Sequence, residues 1–232
     1  MYLKTSQRQM SESFWTIAFL TVSGGLQDSY SYFVRGKVFA NAQTGNLVFL
    51  ASGLADGDIG KVIHYLLPLC SYLLGIYLTA QFKQRYKHQK IHWRQWILMM
   101  EILILSVTPF IPWDLMANCL ISLSCAMQVQ AFRKLHGKPF ASTMCMGNMR
   151  SLMEQLSHYQ STKNPAHLKS AKDYGGVILL FVLGALIGYL LAGVMGRQAI
   201  LICDVLLSIA LIMMFLHHER HLWKLELPDE MK

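Results

Sequence analysis

The chain is poor in charge. Only 15% of its 232 residues are Asp, Glu, Lys or Arg, against about 25% in a soluble domain. Acids are scarcer than bases, 13 against 21, for a formal net charge of +8. Five cysteines occur, Cys70, Cys119, Cys125, Cys145 and Cys203, without a CxxC pair. That spacing excludes a disulfide framework or a cysteine zinc site. HExxH, Walker A, GxGxxG and nucleophile-elbow motifs are missing. The nine histidines show no catalytic spacing. His217 and His221 stand four apart at a helix end, but no carboxylate set accompanies them, so no metal is assigned. The chain therefore reads as a non-enzyme without a cofactor.

What is abundant is apolar sequence, 53% of the chain. It comes in runs near the roughly 20 residues needed to cross a bilayer. The basic residues cluster between those runs. That pattern points to lipid headgroups and membrane topology, not to nucleic acid. The N-terminal Lys4 and Arg8 precede an apolar stretch, but no small-x-small cleavage site follows, so this reads as a retained first helix.

Six strong spans are expected: 14–33, 62–82, 95–111, 115–132, 175–195 and 199–216. Two further segments, 38–54 and 140–157, are too polar to face lipid. Loops are expected at 55–58 and 158–173, and a charged tail from His217 to Lys232. Gly24-Gly25 is expected to bend or loosen the first span. If both ambiguous segments cross, the basic residues split ten to eleven. If neither crosses, they split seventeen to four. The second split obeys the positive-inside rule, so six spans with both termini cytosolic is the reading.

The polar material is concentrated in Gly24–Tyr30 and Gly36–Asn46. A weaker copy follows about a hundred residues later. Gln128 matches Gln27, Gly137-Lys138 matches Gly36-Lys37, Phe140-Ala141 matches Phe39-Ala40, and Gly147-Asn148 matches Gly45-Asn46. A second echo pairs Leu74–Tyr77 with Ile187–Leu190. The fold class is therefore all-α: a polytopic transmembrane bundle of about six spanning helices plus two short or re-entrant helices, with a two-fold internal repeat. The whole chain, 1–232, forms one transmembrane domain, with repeat 1 near 14–111 and repeat 2 near 115–217. Three spans per repeat make the repeats inverted, an architecture of transporters and channels.

Asp28 is the leading functional candidate, because an ionisable group inside a span is costly. Ser31, Tyr32 and Arg35 share its helix face. Three roles stay open for it: a cation or proton site, an ion pair with Arg35 or another base, or a helix–helix hydrogen bond. Thr44-Gly45-Asn46 reads either as a helix break or as a tightly packed helix N-terminus. The candidate solute or ion site is Gln27, Asp28, Ser31, Tyr32, Thr44, Gly45, Asn46, Gln128 and Asn148. Arg150 and Glu154, four apart, suit an exposed ion pair. Gly184 and Gly188 form a small-residue stripe for helix packing, within the protomer or in a homo-oligomer.

The pattern Gly25-x-x-Asp28-Ser29, then Gly36-x-Val38-Phe39 and Thr44-Gly45-Asn46, resembles the YoaK family of bacterial membrane proteins, a domain of unknown function. Gln128 to Leu135 resembles that family's second signature. Val129 stands where the family often has Asn, and Met146 where it often has Thr. The resemblance implies a polytopic protein of the bacterial inner membrane. It implies no substrate. The functional expectation is a small-solute or ion transporter or channel in the lipid bilayer. The alternative is a non-transporting scaffold or partner-binding subunit.

Overall fold

The computed structural model describes residues 10–86, 92–135, 138–139 and 145–226, with the side chains of 138–139 and 217–226 outside the description. Eight α-helices account for almost all of it: α1 (Phe14–Val34), α2 (Gln43–Asp56), α3 (Ile59–Tyr86), α4 (Trp93–Val107), α5 (Asp114–Ala131), α6 (Cys145–Thr162), α7 (Pro165–Met195) and α8 (Leu201–Glu226). Lys134–Leu135 and Lys138–Pro139 form a two-residue antiparallel ladder.

The helix boundaries have local causes. The Ser13 side chain accepts from the Thr16 N–H and starts α1, an N-cap that satisfies an orphan donor. His92 and Gln95 form a reciprocal capping box on α4. Asn164 caps α7, with Pro165 at the first helical position. Gly57, at φ 68°, closes α2 in the left-handed conformation that glycine adopts without strain.

Several boundaries differ from the sequence reading. The expected polar loop 158–173 is nearly all helix, broken only between Thr162 and Pro165. The tail continues α8 as far as Glu226. The expected helix 38–54 starts only at Gln43, because its first residues form an irregular, bent segment held against α1. Within the segment 140–157, helix begins at Cys145, and 140–144 lie outside the described residues. The α1 helix is continuous through Gly24-Gly25. There the missing side chain serves packing: a Cβ at Gly25 would collide with the Phe181 carbonyl of α7, and one at Gly184 with the Val22 carbonyl of α1.

Contacts fix the helix directions. On α1 and α7, Phe14 meets Gly176, Val22 meets Gly184 and Leu26 meets Gly188, so these two run the same way. On α3 and α5, Ser71 bonds Cys119 and Gly75 faces Leu123 and Ala126, again in the same direction. Between α1 and α5 the order reverses. Gln128 Nε2 donates to Leu20 O (3.0 Å), Cys125 Sγ to Gln27 Oε1 (2.9 Å), and Asn118 Nδ2 to Arg35 O. Consequently α3 runs opposite to α1, although α2 lies between them in sequence.

The segment after α1 explains this. Lys37 N–H bonds Tyr32 O (3.0 Å), and Phe39 stacks on Tyr32 at 4.5 Å between ring centroids. Ala40 N–H then bonds Ser31 Oγ (3.2 Å), Asn41 N–H bonds Asp28 Oδ1 (2.7 Å), and Asn41 Nδ2 bonds Gly24 O (3.3 Å). The chain folds back along α1 to its midpoint, a depth of about 16 Å at 1.5 Å per helical residue. Helix α2 then returns to the end it came from, where Gly53 packs on Lys61 and Val62. His64 Nε2 lies 2.7 Å from Gly36 O there, which closes the loop.

The bundle encloses polar groups among its apolar core residues and is apolar on its outer face. Gln27, Asp28, Arg35, Asn46, Glu101, Asn118 and Gln128 are buried, whereas Leu179, Val182, Leu186, Leu190 and Val194 stand exposed along α7. Such a surface suits a lipid solvent. Two stretches, Ile59–Tyr86 and Pro165–Leu216, are helix long and apolar enough to cross a membrane, the second spanning α7 and most of α8.

Candidate functional site

The fold-back of 37–42 leaves a cavity of about 860 Å³ beside the middle of α1. Asp28, Ser29, Tyr32 and Phe33 of α1 form one wall, and Phe39, Asn41, Ala42, Gln43 and Thr44 another. Tyr72 of α3, Phe181, Ala185 and Tyr189 of α7, and Cys145, Met146 and Gly147 of α6 complete it. Six of these side chains are aromatic, so the walls are broad apolar surfaces with a few hydrogen-bonding groups. That is the usual make-up of a small-molecule site. Phe33 and Tyr189 meet edge to face, 4.8 Å between centroids, and both are more than half exposed on the outer surface.

Two helices, α2 of 14 residues and α6 of 18, begin at this cavity. Gln43 and Thr44 are the first residues of α2, and Cys145 to Gly147 the first of α6. Each helix leads away from it. Helix α2 ends by the start of α3, while α6 passes Gly175 with Leu152 and His167 with Gln155, and ends by the start of α7. The first turn of a helix carries unsatisfied N–H groups and a partial positive charge. Asp28 meets that need for α2: its Oδ1 accepts from Asn41 N–H, and the Ala42 N–H points at the same carboxylate.

The sequence candidates fall into three groups. Asp28, Tyr32 and Thr44 line the cavity. Ser31, Gly45 and Asn46 build its wall from behind. Ser31 Oγ accepts from Ala40 N–H and donates to Asp28 O. Asn46 clamps Phe39, accepting from its N–H (3.0 Å) and donating to its carbonyl (2.6 Å). Gly45 leaves room for the Phe39 ring. Thr44-Gly45-Asn46 is therefore a tightly packed helix N-terminus, not a break within a helix. Asn148 is buried in the first turn of α6. Gln27 and Gln128 do not line the cavity. Both turn toward the α1–α5 contact, Gln27 to Ser23, Glu101 and Cys125, and Gln128 to Leu20 O.

Arg35 does not pair with Asp28. It is fully buried and donates from Nε to the Tyr30 hydroxyl (2.9 Å) and from Nη2 to Thr108 O (2.8 Å). Its Nη1 reaches Ile111 O (2.8 Å) and Asp114 Oδ1 (3.0 Å). Arg150 and Glu154 do pair, at 2.8 Å on the exposed face of α6. Asn41, Tyr72, Cys145 and Glu101 were not singled out in the sequence. Glu101 had a readable signal, a lone acid inside an apolar run.

A helical bundle with charged and amide groups inside and bare aliphatic groups outside is the class of a helical membrane protein. The comparisons agree. The family model described as a protein of unknown function (DUF1275) matches residues 16–213, and the chain belongs to that family. It is similar to the UPF0700 transmembrane protein YoaK of Bacillus subtilis (strain 168), 25% identical over 183 residues that cover 74% of this chain and 80% of that one. No solved structure matches the chain.

Proposed function

We propose that the protein is a transporter or channel for a small polar solute, with its passage through the Asp28 cavity between two inverted repeats. The observation that carries this reading is the convergence of α2 and α6 on one cavity. Each begins there and leads to an opposite end of the bundle. Half-helices that start at mid-depth and offer their N-terminal ends to a cavity are a solute-binding device of transporters.

The packing pattern supports the repeat. Exchanging α1 with α5, α2 with α6, α3 with α7 and α4 with α8 maps the α1–α7 contact onto α5–α3. It also maps α2–α3 onto α6–α7 and α1–α8 onto α5–α4. Gly75 faces the Leu123 carbonyl as Gly184 faces the Val22 carbonyl. The partner of Gly75 is thus Gly184, one turn before the Gly188 that the sequence echo suggested. In this arrangement α1, α3, α4, α5, α7 and α8 span the cytoplasmic membrane of a bacterium. Helices α2 and α6 enter it halfway, and both termini face the cytosol.

The charge balance narrows the solute. Each helix N-terminus contributes roughly +0.5 charge, so two of them offset a single ionised Asp28. A near-neutral cavity walled by aromatic rings favours a small neutral polar solute over an ion. The test is osmotic swelling of reconstituted vesicles in glycerol and urea. Asp28→Asn should abolish solute entry while the protein still inserts. Undiminished entry at equal reconstitution would refute the role of Asp28. Topology has its own test in a cysteine-free background. Single cysteines replacing Asp56 and Lys163 should label from opposite sides, and labelling from one side would favour eight spans.

A further inference from the structure

A second polar site lies outside the cavity, where α4 meets α1, α5 and α8. Glu101 is completely buried, near the middle of an apolar helix. Its Oε1 has one distant amide donor, Gln27 Nε2 at 3.5 Å, the Ser124 hydroxyl faces the carboxyl, and no hydrogen bond closes on Oε2. The groups facing it are few. Helix α1 presents Gln27, α5 presents Ser124 and Cys125, and α8 presents Cys203 and Asp204. The charged residues of α3, Lys61, Lys83 and Arg85, lie near its ends. No base pairs with Glu101 among the described residues, and the closest charge-bearing group is another acid.

An ionised carboxylate held this way lacks two things that make a buried charge tolerable, a counter-ion and a full set of donors. Arg35 shows that the same bundle saturates a buried charge when it keeps one. We propose that Glu101 is a proton-binding carboxyl, neutral when occupied, with Asp204 as the relay that supplies its proton from the end of the bundle where α4 closes. Asp204 is only half-buried. Ser106 Oγ lies 2.9 Å from its Oδ2, and its Oδ1 has no partner. Through Ser106 it sits five residues along α4 from Glu101, toward the α4 C-terminus, and it is the acid that acts on Glu101. The step is a simple transfer: a hydronium ion at the surface protonates the Asp204 carboxylate and becomes water, and that proton passes to Glu101, which goes from carboxylate to carboxylic acid as Asp204 returns to carboxylate. The proposal holds whatever solute the cavity admits.

Infrared spectroscopy of the full chain in phosphatidylethanolamine–phosphatidylglycerol vesicles tests it directly. At neutral pH, the spectrum of wild type minus Glu101→Gln should contain the C=O stretch of a protonated carboxyl. Gln27→Leu, which removes the amide donor, should move that band to higher frequency. Asp204→Asn should slow its shift in heavy water several-fold. A difference spectrum holding the paired bands of an ionised carboxylate would overturn the site. So would a sodium-dependent rise in thermal stability that Glu101→Gln abolishes, since it would mark a cation site. Unchanged exchange in Asp204→Asn would overturn the relay. If Glu101→Gln does not fold, Glu101→Asp gives the same test, because the band should shift in position and not disappear.

Discussion

Arg35 and Glu101 are both fully buried and formally charged, and the protein treats them in opposite ways. Every part of the Arg35 guanidinium has a partner: a hydroxyl, two carbonyls and the Asp114 carboxylate. It sits at the α1 terminus and ties that end to the turn between α4 and α5. Glu101 has one long amide contact, a facing Ser124 hydroxyl and an oxygen on which no hydrogen bond closes. The difference separates a structural charge from a chemical one. A guanidinium cannot shed its charge, so its burial requires a complete set of acceptors. A carboxyl can take up a proton, so incomplete partnering is tolerated and leaves it available.

The contrast is most directly broken at Arg35. Replacing it with Leu orphans the Thr108 and Ile111 carbonyls, while the part-exposed Asp114 keeps Arg197 at 3.6 Å; the loss should be about 2–5 kcal/mol, from about 1–3 for each acceptor left unsatisfied. Chemical unfolding in detergent measures this. Arg35→Lys should recover only part of the loss, because an ammonium cannot span the same fork. Asn46→Ala removes a neutral side chain that is fully matched to the Phe39 backbone. A loss of about 1–3 kcal/mol is expected, with faster labelling of a cysteine placed at Thr44 as the α2 N-terminus loosens. A loss near zero would mean that Asp28 alone holds the fold-back. Gly184→Ala drives a methyl into the Val22 carbonyl and should cost about 1–3 kcal/mol by overpacking, read as a lowered thermal midpoint. The smallest effect belongs to Glu101→Gln, about 1 kcal/mol, since glutamine copies the shape of a neutral carboxyl and differs by one N–H donor. A loss as large as that of Arg35→Leu would erase the distinction between the two sites.

Much of the helix content could be read from the chain, because hydrophobic runs and caps are local. The polarity of 38–46 was also legible, and with it the expectation that this stretch avoids lipid. What it does there was not. Asp28 and Arg35 share a helix face by periodicity, yet Arg35 finds its carboxylate on Asp114, seventy-nine residues away. Gln27 and Gln128 match as copies in sequence. Because α1 and α5 run in opposite directions, both side chains turn into the helix contact and away from the cavity. Glu101 is legible as one acid in an apolar helix, but the sequence does not reveal whether a base lies opposite it.

By itself, the sequence determined the solvent and the family of this protein. Low charge and long apolar runs demand a membrane, and the Gly-x-x-Asp and Thr-Gly-Asn motifs mark the relatives. These are properties of composition and short-range order. Only the tertiary structure decided which polar groups meet. The return of 37–42 to the middle of α1, the convergence of α2 and α6, and the isolation of Glu101 depend on contacts between distant helices. In a low-dielectric interior such pairings decide whether a polar residue is a fastener or a working group.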